Sequence, residues 1–262
     1  MAITPPNPFQ PNVTEPGGGG FALPARQVEA GRGVAWITEA WPLFKAAPLQ
    51  WIVALVILAA IQLVLGLVPF LGDVVSVLIG PVLVVGLFAF TRELRETGAA
   101  DFARLFIGFR EKLGPLLTLG ALYFLLVVLV FVLAIVAFVL VFGSSLFNET
   151  DPERALDLLL EQGGLLALVG ILLFAFALLL LTAMAYWYAP GLVFYADMGA
   201  IPAMQASFAA CLRNWLPLLV YGVVGLLVLL LGGLALLVGL AVAVPLLMAS
   251  YYLSFEDLFG SR

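Results

Sequence analysis

Basic and aromatic residues recur together at three places along the chain: Trp41 with Lys45, then Arg104, Phe106, Arg110 and Lys112, then Arg213 with Trp215. Cations on the polar side of an amphipathic helix attract an anionic phospholipid headgroup, each contributing about 1 kcal/mol near such a surface, and indole rings settle at headgroup depth. The chemistry these residues can do is therefore recognition of a headgroup or of a protein partner. Plain anchoring and the positive-inside bias are the more ordinary use of the same residues.

Other chemistry is thinly represented. The chain has no histidine, so the commonest metal ligand and general base is missing. Cys211 is the only cysteine; with Arg213 nearby it has the makings of a reactive thiol, and the blander reading is a small apolar filler. The acidic run of Glu149, Asp151, Glu153, Asp157 and Glu161 lacks the one-three-five spacing and turn glycine of a calcium loop. With no nucleophile and base pair and no cluster of metal ligands in view, the expectation is a protein that is not an enzyme and needs no cofactor.

Composition explains why. Hydrophobic residues make up 64% of the chain and charged residues only 10%, less than half the share usual in soluble domains, which excludes a soluble globular fold. A net charge of −5 leaves no basic face for nucleic acid.

The elements that must carry the collar follow from the apolar pattern. Residues 1–34 open with five prolines and four consecutive glycines, a composition read as a disordered cytoplasmic tail. Ile37, Ala40, Trp41 and Phe44 then fall at i, i+3, i+4, i+7, one face of an interfacial helix. Pro48 interrupts it, and Gln50 to Phe70 supplies the roughly 20 apolar residues that cross a ~30 Å hydrocarbon core. Val74 to Phe90 is a second span with Pro81 inside it. Phe102, Leu105, Phe106 and Phe109 repeat the helical spacing before Pro115 opens a third span reaching about Phe142.

A short acidic periplasmic helix is expected over about 150–162, started by Asp151-Pro152 and stopped by Gly163-Gly164. Leu165 to Tyr188 is the fourth span, with Pro190 near its end, and Asp197 to Arg213 is a third amphipathic piece with Met204, Phe208 and Cys211 on one face. The apolar run after Pro217 is long enough for two spans, divided at Gly232-Gly233, the second holding Pro245. In that last span Ala235, Gly239 and Ala243 form a small-xxx-small stripe that lets a neighbouring helix approach closely.

The spacing predicts an all-α, polytopic membrane helical bundle over residues 35–258, with six transmembrane helices as three hairpins, each preceded by an interfacial amphipathic helix. Pro81, Pro190 and Pro245, one in each returning helix, are read as kinks that free a carbonyl four residues earlier, at Val77, Tyr186 and Ala241. All but one of the Lys and Arg, Arg154 being the exception, fall on one side of this topology, so both termini are expected in the cytoplasm.

Four stretches, AGRGVAWITEAWPLFKAAPLQWI, LFIGFREKLGPLLTLGALY, IPAMQASFAACLRNWLPLLVYG and ASYYLSFEDLF, resemble an uncharacterised proteobacterial family of six-span integral inner-membrane proteins, from about Glu29 to Gly260. The resemblance implies a bacterial inner-membrane location and no activity. In layout alone the chain is also similar to the membrane domain of some glycerophosphodiester phosphodiesterases.

No charged residue falls at mid-depth in the six spans, which argues against a proton-coupled pump. The expectation is an integral membrane protein that binds or moves a lipid or apolar solute, with membrane phospholipid as its partner. The alternative is a non-catalytic accessory or scaffold subunit that meets another membrane protein or a second copy of itself.

Overall fold

The computed structural model describes residues 23–148, 154 and 163–260, and every regular element among them is helical. The elements are α1 (Arg32–Ala46), α2 (Pro48–Gly66), α3 (Leu71–Thr97), a 3-10 turn (Phe102–Phe106), α4 (Ile107–Glu111) and α5 (Leu113–Asn148). They continue with α6 (Gly164–Trp187), α7 (Ala189–Tyr195), α8 (Ala200–Arg213), α9 (Trp215–Leu234) and α10 (Leu236–Phe259). The acidic helix expected over 150–162 lies outside the described residues apart from Arg154.

Six stretches are long and apolar enough to cross a membrane: α2, α3, α5 to Gly143, α6 continued through α7, α9, and α10 from Val238. Two of the helices outrun their expected ends. α3 continues past Phe90 because Arg92 and Glu96 sit one turn apart and pair at 2.8 Å, and it stops where Gly98 takes the left-handed conformation at φ 81°. α5 passes Phe142 because nothing in Gly143-Ser144-Ser145 imposes a different backbone geometry, so the helix runs on to Asn148.

Burial separates the helices into two kinds. Half of the apolar window of α3 and of α10 is buried inside the protein, against 17% or less for the other four, so these two returning helices form the centre. The end of the second hairpin joins them. Phe88 of α3 meets Tyr251 at 4.9 Å and Phe255 at 5.2 Å, and Tyr188, between α6 and α7, meets Phe259 at 5.6 Å. All three hairpins are thus held at one end by a buried aromatic cluster.

Glycines set the closest approaches. A methyl group on Gly86 would strike the carbonyl of Leu105, which draws the 3-10 turn onto α3. One on Gly232 would meet the Cβ of Ala243 at 2.8 Å and the carbonyl oxygen of Gly239 at 3.0 Å. The α9–α10 hairpin closes there, within two residues of the expected division.

The tail boundary needs correction. Residues 23–34, expected to belong to a disordered tail, are bound along the bundle. Arg26 N–H donates to the Leu258 carbonyl at 2.9 Å, and Val28 N–H donates to Oδ1 of buried Asn214 at 2.9 Å. The Asn214 amide returns a bond to the Arg26 carbonyl at 2.9 Å. Arg32 and the indole of Trp36 both donate to Asp257, at 2.7 and 2.8 Å. Much of the strap is recognised through its backbone, which side-chain composition does not advertise. Both described ends of the chain therefore lie together.

Candidate functional site

The collar residues do not converge on one site. Trp41 is exposed, stacked on Phe44 at 5.8 Å with Lys45 above its ring at 5.8 Å. The buried face of α1 is instead Trp36, Ile37, Ala40 and Phe44, turned toward α9 and α10. Trp41 was expected on that face; tertiary packing shifts the stripe by selecting Trp36, one turn before Ala40, instead.

The cations are mostly committed to intramolecular bonds. Arg104 pairs with Glu93 at 3.2 Å. Lys112 Nζ reaches Asp197 at 2.5 Å and donates to the Phe194 carbonyl at 3.0 Å, so it clasps the start of α5 to the end of α7, where a cation meets the negative end of a helix dipole. That contact, first the hydrogen bond and then the charge, holds the Asp197 carboxyl below its ordinary 3.8. Arg213 donates to the Ala25 carbonyl at 3.1 Å, while Trp215 beside it is exposed. Arg110 lines a polar cleft with Arg104 and three carboxylates.

The expected amphipathic helix over 102–109 is split into the 3-10 turn and α4, and only Leu105 of its four apolar positions is fully buried. Asp101 starts the turn by accepting Ala103 N–H at 2.9 Å.

Pro81 and Pro245 lie inside α3 and α10 as expected, but Pro190 does not kink the interior of a helix. It sits in the first turn of α7, after a break at Tyr188. The Tyr186 carbonyl that it was expected to free accepts Tyr188 N–H. The break has a further partner that the periodicity missed. The Ser207 hydroxyl, from α8, accepts Tyr188 N–H at 2.9 Å and donates to the Met184 carbonyl at 2.8 Å, standing where the helical 188-to-184 bond would run. Ser207 is fully buried, and its presence on the apolar face of α8 was the available signal. Burial pushes the neighbouring Cys211 thiol up to about 12, which suits a packing role and not a nucleophile.

Beside this break an apolar groove of about 360 Å³ opens among α5, α6 and α8. Leu122 and Leu126 form one wall, Ala185 the second, and Ile201, Met204, Gln205 and Phe208 the third. Phe208 and Met204 thus share a face as expected, and that face borders the groove. The small stripe is used within the chain: Gly239 and Ala243 pack on Gly232 of α9, and exposed Ala235 forms the link between the two helices. Among the described residues no group of acidic, cysteine or histidine side chains is arranged to hold a metal.

Residues 67–185, from the end of α2 through most of α6, match the family model described as "Predicted integral membrane protein (DUF2189)". The chain is a polytopic integral membrane protein. A probable inner membrane protein of Burkholderia thailandensis is 28% identical to this membrane protein over 201 residues, covering 75% of this chain and 73% of the relative. These matches bear out the resemblance read from the four sequence stretches. No solved structure matches. Nothing in the comparisons supports the likeness in layout to the phosphodiesterase membrane domain.

Proposed function

We propose that this protein is a non-catalytic, lipid-binding component of a bacterial inner membrane, with both termini on the cytosolic side, and that the groove among α5, α6 and α8 takes an acyl chain of a membrane phospholipid. The observation that carries this reading is the groove's position and lining. Its walls are apolar, its one polar side chain is Gln205, and the two spans that frame it present exposed Leu125, Leu126 and Leu181 to their surroundings. In a bilayer the solvent around such helices is hydrocarbon, so a lateral apolar recess is filled by an acyl chain unless a larger apolar solute displaces it. The relative's name supports the inner-membrane placement, and the charge asymmetry of the sequence supports cytosolic termini.

The test is the lipid that stays with the purified protein. Ile201 and Gln205 are exposed at the rim, so Ile201→Trp with Gln205→Trp fills the groove without disturbing the core. Native mass spectrometry should show lipid retained by the wild type and retention reduced about tenfold in the double variant. Equal retention, or a wild type carrying no more lipid than its detergent micelle accounts for, overturns the reading.

A second reading, an accessory subunit of a larger membrane complex, is favoured by the lipid-facing surface of α5 and α6, whose apolar windows are 6% and 0% buried. Crosslinking in native membranes should then recover a stoichiometric partner or a second copy, and a clean monomer removes it.

A further inference from the structure

A cleft of about 220 Å³ lies where the end of α3 faces the 3-10 turn and α4, lined by Glu93, Asp101, Arg104, Arg110 and Glu111. Pockets for drug-sized ligands run from about 300 to 1,000 Å³, so this space suits a small polar group. Its carboxylates outnumber its guanidinium groups, and several of these charges are already committed. Glu93 pairs with Arg104 at 3.2 Å and accepts Asp101 N–H at 3.0 Å, and Asp101 caps the turn. Arg110 and Glu111 have no ion-pair or hydrogen-bond partner among the described residues.

The uncommitted charges are therefore one cation and one anion, adjacent in sequence and lining the same cleft. They lie just before Leu113, where the apolar window of α5 begins, which is where a headgroup lies in a bilayer. A purely anionic group would bring negative charge to a cleft already rich in carboxylate, and a purely cationic one would leave Arg110 unmet. A group bearing both signs satisfies both.

We infer that this cleft holds a zwitterionic phospholipid headgroup, with Arg110 on its phosphate and Glu111 on a primary ammonium. The inference stands independently of the acyl groove. It predicts discrimination among headgroups. A primary ammonium donates hydrogen bonds to a carboxylate, a quaternary ammonium cannot, and a glycerol headgroup has no cation for Glu111 to meet.

Full-length protein in detergent, titrated with phosphatidylethanolamine, phosphatidylcholine and phosphatidylglycerol of identical acyl chains, should retain the first about tenfold over either of the others by native mass spectrometry. Glu111→Gln should erase the preference for ethanolamine over choline. Arg110→Ala should lower retention of all three, because phosphate is common to them. Both side chains are exposed, so the variants should fold, which circular dichroism and monodisperse elution verify.

Choline bound as well as ethanolamine, glycerol bound best, or a preference that survives Glu111→Gln would overturn the assignment. Soluble phosphoethanolamine at equal concentration should not displace the lipid; displacement would overturn a lipid source in favour of the free headgroup. The groove-filling double variant should keep the same headgroup order, so failure of the groove reading and failure of this one are seen separately.

Discussion

Ser207 shows how one hydroxyl can close a break that a proline opens. It accepts a hydrogen bond from Tyr188 N–H, which is shared with the Tyr186 carbonyl, and donates its own O–H to the Met184 carbonyl, so one side chain from another helix serves two backbone groups at the break. Ser207→Ala removes the partner of both and should cost about 1–3 kcal/mol, read as a drop in detergent thermal stability, whereas Thr38→Ala gives up an exposed hydroxyl contact to the Ala35 carbonyl and should cost less. The Lys112–Asp197 clasp behaves differently because Asp197 is largely solvent-exposed. Its carboxyl titrates below its ordinary value in the folded protein, so its contribution is fully present above the ordinary 3.8 and is lost as pH falls through the lower folded value. Asp197→Asn should therefore be less stable than wild type at pH 7, and the difference should vanish in strong acid when melting is followed across the pH series.

At the scale of the helix, small residues decide which faces meet. Gly232 lies against Gly239 and Ala243, while Gly222, ten residues earlier on the same helix, has open space where its Cβ would be. Gly232→Val should force α9 and α10 apart at a cost of about 1–3 kcal/mol, and Gly222→Val should be tolerated, with aggregation temperature in detergent as the comparison. The same reasoning explains why the 3-10 turn sits where it does. Gly86 removes the methyl group that would hold the Leu105 carbonyl away from α3, and the segment then turns tightly instead of extending as one amphipathic helix.

Across the whole molecule, the hairpins gather at the end that holds the strap and both described chain ends, while the opposite ends of α2, α5, α6 and α9 display exposed leucine, valine and phenylalanine. That polarity gives a labelling prediction. Cys211 is buried with its thiol held protonated, so the wild type should resist maleimide at pH 7.5 until denatured and provide a silent background. Cysteine introduced at Glu29, within the strap, should be shielded from an impermeant maleimide in spheroplasts, and cysteine at Asp73, in the first turn of α3, should label. The reverse pattern would invert the orientation, and labelling of both would contradict a single crossing by α2 between them.

By itself the sequence determined the all-helical class and the six stretches long and apolar enough to cross a membrane, because in a bilayer every backbone group must be satisfied within its own helix, and apolar length is then nearly sufficient information. It also determined that Met204 and Phe208 share a face, since helical spacing is local. Only the tertiary structure decided that Trp36 and not Trp41 is buried, that residues 23–31 form a strap, and that Ser207 replaces a helical bond. The same holds for the collar, whose cations are divided among Glu93, Asp197 and the Ala25 carbonyl. Each of these depends on contacts between segments far apart in the chain, where the choice among several chemically adequate partners is made by packing and cannot be read from periodicity.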